Sequence, residues 1–239
     1  MNSEFSVPWR ATLQDMKALA LPPNRVEQVH DAILGEIASG ALASGARIIQ
    51  EQIAQALGVS RQPVQQALVL LRKQGVLKEA PGRGLIVAPL EADLVQHMYE
   101  IRAAMEGLAA RRAAELNAGR AAQQGPALIE AGRKAAQAGS LPKLVAADLK
   151  FHQFVYGLSG NPLIAPAMAS HWTTTQRAMG ETLVHDESPQ GIWDQHEAIL
   201  AAIAAGDAAR AEREARRHIT LSADFMVARL RGEAKKRVR

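Results

Sequence analysis

Asp148 and His152 stand four residues apart, the spacing that places two side chains about one turn apart on one face of a helix. His196 and His218 follow in two later segments of helical period. Three imidazoles and a carboxylate can close around a divalent first-row ion, with positions left over for water or a ligand. A single histidine is more often a core or surface residue. Four such residues on three helices of one bundle leave coordination and ordinary packing both open. Arg102 is a further candidate, in Glu100-Ile101-Arg102-Ala103-Ala104-Met105-Glu106. Its plain reading is an ion pair with Glu106 one turn on, worth about a few tenths of a kcal/mol.

A different chemistry is written between Ile53 and Leu77, IAQALGVSRQPVQQALVLLRKQGVL. Val64, Ala67, Leu68 and Leu71 fall at i, i+3, i+4 and i+7, one stripe that must be buried. Arg61, Gln62, Gln65, Gln66, Arg72 and Lys73 fill the other positions, and none is a carboxylate. A solvated helix face ordinarily mixes acids with bases. A face of Arg, Lys and Gln alone suits base edges and the phosphates beside them. Arg61, Gln62 and Gln65 are read as base contacts, and Arg72 and Lys73 as phosphate anchors.

The elements that must position these residues follow from turn chemistry. Leu57-Gly58-Val59 supplies a tight turn between two helices, and Ser60 is placed to cap the second. Pro63 is tolerated in a first turn, whose N–H groups lack helical partners. Gly75 ends the pattern, and residues 76–79 and 85–87 read as two short strands. Between them, Ala80-Pro81-Gly82-Arg83-Gly84 forms a turn with one cation at its tip, a wing that can reach the minor groove or backbone. From Glu91 onward helical period dominates, with helices expected near 92–117, 124–138, 142–158, 162–183, 190–205 and 207–231. Gly160-Asn161-Pro162 and Gly206-Asp207 are stop-and-start signals between helices.

Residues 26–89 resemble the winged helix-turn-helix of the GntR family of bacterial transcription regulators. The likeness lies in Ser39-Gly40, in Gly45-Ala46-Arg47-Ile48-Ile49, in the LGVSR-x-PV-xx-AL run and in the PGRG wing. It implies operator contacts from Arg47, Ser60, Arg61, Gln62, Gln65, Arg72, Arg83 and Gly84. Gln65 departs from the family, which usually carries Arg there. Arg prefers guanine and Gln prefers adenine, so a borrowed operator sequence does not transfer. Residues 91–231 resemble the FCD effector domain of the FadR-type subgroup, through Asp148-xxx-His152, the SGNP stretch from Ser159, the His196–Asp207 segment and a closing His218. That resemblance implies a metal on Asp148, His152, His196 and His218, zinc first, with nickel or manganese as alternatives. It implies a small carboxylate on the open metal positions and on Arg102, whose guanidinium fork matches a carboxylate. Asn161 and Arg177 are further candidates for that pocket, beside Trp172, Thr175 and Gln176; Asn161 also reads as a helix cap.

Composition bounds the rest. The chain of 239 residues allows two ordinary domains, and 48% hydrophobic content with only 4% aromatic favours helices over sheets. The expected class is mainly α: a winged helix-turn-helix over 24–90 and an all-α antiparallel bundle over 91–231. An N-terminal arm (1–23) and a basic tail (232–239) flank them. The net charge of +4 is compatible with nucleic acid but does not by itself imply it. Cysteine is absent, which excludes disulfides and thiolate metal sites. No signal peptide and no membrane span is read, so a soluble cytoplasmic protein is expected. A homodimer on two operator half-sites is expected, with Ile101, Met105, Leu108 and Ala109 as an apolar surface. An enzyme is the rival class, because an open metal site can activate water. His196-Glu197-Ala198-Ile199-Leu200 begins like HExxH but lacks the second histidine, and no phosphate loop or nucleophile elbow is present. A purely structural metal is the third reading.

Overall fold

The computed structural model describes residues 25–183 and 190–232. The expected arm, residues 1–23, and the tail beyond Gly232 lie outside them. The winged unit opens with α1 (Arg25–Ala38), which buries Val29, Ile33 and Ile37 along one stripe. After β1 (Arg47–Ile48) come α2 (Gln50–Ala56) and α3 (Arg61–Lys73). Gly58 between them has φ of +64°, a conformation that costs a residue with a Cβ and costs glycine little. The anticipated stripe of α3, Val64, Ala67, Leu68 and Leu71, is the buried one. Ser60 occupies the N-cap, but its side chain makes no capping hydrogen bond. The usual donors to a capping hydroxyl are the N–H groups two and three residues on, and the third is Pro63, which has none.

Strands β2 (Leu77–Glu79) and β3 (Leu85–Val87) form the wing, with β3 central in the order β1-β3-β2 and antiparallel to both neighbours. Ile86 therefore faces Arg47 on one side and Lys78 on the other. Two residues are too few to show alternation, which is why β1 escapes a reading of hydrophobic pattern. Ala80 N–H donates to the Gly84 carbonyl at 3.0 Å and closes the wing tip.

The bundle is built on α4 (Ala92–Gln137), with α5 (Leu141–Leu158), α6 (Ile164–Leu183), α7 (Gln190–Ala204) and α8 (Ala208–Leu230) packed around it. Where two helices with a gap were expected, α4 is one rod bent at Asn117, whose φ and ψ are −139° and 31°. The chain re-enters helix directly, so residues 118–123 are helical. Asn117 Nδ2 donates to the Leu158 carbonyl at 2.7 Å, so the bend satisfies a carbonyl in the last turn of α5. Beyond the bend, Gly125 and Gly132 face Leu200 and Trp193 of α7. A Cβ on either glycine would lie 2.2 Å or 2.1 Å from those side chains. The matched seven-residue spacings, running in opposite senses, lock α7 antiparallel to α4 and bring His196, midway between them, to the bundle axis. Asp207 caps α8 by accepting from Arg210 N–H at 3.0 Å, as the Gly206-Asp207 signal foretold.

Candidate metal centre and nucleic-acid interface

Helix α5 carries Asp148 and His152, α7 carries His196 and α8 carries His218. All four are buried, and one donor atom from each lies within 4.8 Å of the others. Asp148 Oδ1 stands 3.4 Å from His196 Nε2 and 3.8 Å from His152 Nε2. Neither ring nitrogen of His196, nor His152 Nε2, has a hydrogen-bond partner among the described residues. Buried nitrogens left unsatisfied are costly, and here two of them, His196 Nε2 and His152 Nε2, face one carboxylate. Burial, reinforced by the neighbouring histidines and Arg102, depresses the pKa of His196 and of His218 well below the ordinary imidazole range. Both rings are therefore neutral with a lone pair to give, the state a metal ligand requires. The four residues fit a divalent ion.

An outer ring of acceptors orients these imidazoles. His152 Nδ1 lies 2.9 Å from Glu106 Oε2, and His218 Nδ1 lies 2.8 Å from Gln195 Oε1. Each acceptor draws the ring proton to Nδ1 and turns the Nε2 lone pair inward. Glu106 also accepts from the Tyr156 hydroxyl and stands 3.3 Å from Arg102 Nε. Burial opposes its ionisation, but His152, Arg102 and Tyr156 outweigh burial and hold its pKa at about 2. Burial likewise pushes the Asp148 carboxyl upward, against the pull of His152 and Arg102. The sequence spacing showed Glu106 only as an exposed-type partner of Arg102. Tyr156 stands four residues after His152 on the same helix, a spacing that could have marked it, whereas nothing in the pattern tied Gln195 to His218.

The other candidates divide between two places. Arg102 is buried in the bundle, its guanidinium 4.5 Å from the Trp172 ring and its Nη1 3.5 Å from Thr175 Oγ1. Arg177, two residues beyond Thr175 on α6, is also buried but donates to the Ala88 carbonyl at 2.5 Å, where the winged unit leads into the bundle. Gln176 lines a mostly apolar cleft of about 350 Å³ between α1 and α5. Asn161 Oδ1 accepts from Leu163 N–H at 3.0 Å, the capping geometry at the turn before α6. Beside the four donors, the space bounded by Glu106, Phe151, His152 and His218 leaves no room for a water molecule.

In the winged unit, Arg61, Gln62, Gln65, Gln66, Arg72 and Lys73 are all exposed on α3. Arg83 is exposed at the wing tip, and α3 and the wing flank a concavity of about 450 Å³ lined by Gln65, Arg72, Arg83 and Gly84. Arg47 donates to the Arg83 carbonyl, so it braces the wing from β1. Gly84 lies under that brace, where an added Cβ would sit 3.7 Å from the Arg47 guanidinium. Ser60 is exposed at the start of α3. Although α3 carries no acid, acids reach its cations from outside the helix: Glu51 pairs with Arg61 at 2.5 Å and Glu79 with Arg72 at 3.1 Å. Both pairs are solvated and worth little in stability, so both cations can be released.

Comparison with known proteins agrees with this architecture. Residues 25–87 match the family model described as bacterial regulatory proteins, gntR family, and residues 97–221 match the FCD domain. A probable D-xylose utilization operon transcriptional repressor from Paenarthrobacter nicotinovorans is 33% identical over 196 residues, 80% of this chain and 84% of the relative. The transcriptional repressor RspR of Escherichia coli K12 is 25% identical, covering 81% of this chain and 85% of its own. Among solved structures, E. coli McbR/YncC superimposes with a TM-score of 0.69 at 23% identity, over 88% of this chain and 98% of that one. A GntR transcriptional regulator from Rhodococcus sp. RHA1 gives the same TM-score at 20% identity. These last two likenesses speak for the fold. No helix among the described residues is long and apolar enough to cross a membrane. The chain belongs to the gntR family of bacterial transcription regulators, with an FCD domain behind its winged helix, and is a regulator rather than an enzyme.

Proposed function

We propose that the protein is a cytoplasmic, homodimeric repressor whose grip on operator DNA changes when a small organic acid binds at a metal site in the bundle. Arg61, Gln62 and Gln65 read bases, Arg83 enters the adjacent groove from the wing, and Arg72 holds phosphate. Asp148, His152, His196 and His218 would hold the ion, zinc first, and the ion would supply a Lewis-acidic anchor for a carboxylate. The observation that carries the ligand half of this reading is the buried quartet, with two unsatisfied imidazole nitrogens facing one carboxylate. Arg102, on α4 ahead of the three helices that carry the quartet, comes to the same buried neighbourhood through Glu106 and Thr175.

One observation favours a second reading, a metal that only braces three helices: on the side of the quartet where His152 and His218 face Glu106, the space leaves no room for a water molecule. An acid would then have to open that packing, which is what a ligand coupled to a conformational change does. Genome-wide mapping of binding sites, followed by gel shifts on the recovered fragments with and without small carboxylates, separates the readings. We expect sites with two half-sites related by a dyad and a mobility change with one class of acid. A shift indifferent to every acid leaves the structural metal, and no sequence-specific enrichment overturns the DNA reading.

A further inference from the structure

Glu106 is a buried carboxylate that coordination by the quartet does not use. Its Oε2 faces His152 Nδ1 at 2.9 Å, and its Oε1 accepts a hydrogen bond from the Tyr156 hydroxyl and stands 3.3 Å from Arg102 Nε. Both oxygens are occupied by donors, one of them a guanidinium, the setting that keeps a carboxyl ionised. Arg102 is correspondingly a charge already matched, closed in by Glu106, by Thr175 and by the face of Trp172.

The local charge inventory is then short. With Arg102 paired to Glu106, a divalent ion would face Asp148 as its one carboxylate, neutral imidazoles add nothing, and one positive charge of the ion is left without a counterpart. Arg177, the other buried cation among the described residues of the bundle, lies against the Ala88 carbonyl at the lead-in from the winged unit. Net charge is expensive in a dry interior, so a ligand bringing one negative charge closes the balance and one bringing two overshoots it.

Resting on the effector reading above, we propose that Glu106 is a specificity-determining residue that restricts the site to small, singly charged carboxylates. It does so by taking up the guanidinium that a second carboxylate would need. Were Glu106 neutral, the site would carry one more positive charge and would suit a dianion.

Calorimetric titration of the zinc-loaded full-length protein with lactate and with malonate, acids of similar size, tests this near pH 7.5, where their carboxylates are ionised. The wild-type protein should bind lactate at least about tenfold more tightly than malonate. Glu106→Gln should narrow or reverse that ratio, while Tyr156→Phe, which removes a hydrogen bond but no charge, should leave it unchanged. Malonate preferred by the wild type, a ratio unmoved by Glu106→Gln, or an equal shift in Tyr156→Phe overturns the proposal. If neither acid binds any of the three zinc-loaded proteins, the effector reading itself falls and takes this inference with it.

Discussion

His196 has no hydrogen-bond partner for either ring nitrogen among the described residues, so its cost without a metal, and its value with one, are both large. His196→Ala should abolish stoichiometric metal binding, read by elemental analysis of the purified protein, while the winged unit keeps its fold. A protein that retains one ion per chain would remove His196 from the site. The same depressed imidazoles set a pH dependence. Because His196 and His218 have folded pKa values below their unfolded ones, the unfolded chain takes up protons first as pH falls. Their contribution is fully present above the unfolded value near pH 6.5 and is lost progressively below it, toward the folded values. Chelated protein should therefore melt at a lower temperature at pH 5.5 than at pH 7.5, and a flat profile would contradict the neutral-imidazole assignment. On the DNA side, Arg61→Ala should cost about 1–3 kcal/mol and abolish discrimination at one base position, whereas Arg72→Ala should weaken all sequences alike and flatten the salt slope. A randomised-operator selection on the Arg61 variant checks this, and unchanged preference would move the docking of α3.

At the scale of elements, α6 touches both ends of the proposed coupling. Thr175 and Trp172 meet Arg102, while Arg177 holds the Ala88 carbonyl, and an added Cβ on Gly180 would sit 1.9 Å from the Ala38 carbonyl of α1. Gly180→Ala must therefore push α1 away from α6. We expect it to change operator affinity by about 0.5–2 kcal/mol without altering zinc stoichiometry, both measured on the same preparation. Unchanged affinity would mean that this contact carries no coupling. The elements legible in the sequence were those with a long stripe or a covalent signal. The α3 stripe, the glycine turn at Gly58 and the Gly206-Asp207 junction each depend on neighbours within one or two turns. What escaped depends on distant partners. β1 exists only because β3 pairs with it, and the bend at Asn117 follows from a carbonyl in α5. Gly125 and Gly132 read as weak helix formers until Leu200 and Trp193 are seen to fill their places. The quartet was legible through a resemblance and a four-residue spacing. Glu106 as its buried neighbour was not, since an i, i+4 pair looks the same whether solvated or 2% exposed.

At the scale of the molecule, a single α3 and wing offer few contacts, and twofold pairing doubles them. Leu94, Ile101 and Leu108 recur every seven residues on α4 and remain 57%, 55% and 37% exposed, with Leu116 continuing the line. Of the surface expected from sequence, Ile101 and Leu108 do face outward, but Met105 packs partly against the core and Ala109 is fully buried, because α4 spends that face on α8 and its neighbours. Ile101→Glu should convert a dimer to a monomer in sedimentation velocity at micromolar concentration, and a monomeric wild type would sink the dimer outright. If an acid at the quartet controls DNA binding, a tenfold change in affinity requires the two conformations to differ in acid affinity by about 1.4 kcal/mol. The most direct test is fluorescence anisotropy on one genomically recovered operator, titrated with acetate, lactate, malonate and citrate, using zinc-loaded wild type and His196→Ala side by side. At least one acid should shift wild-type operator affinity about tenfold or more and leave His196→Ala unmoved. An equal shift in both proteins, or none with any acid, would contradict it.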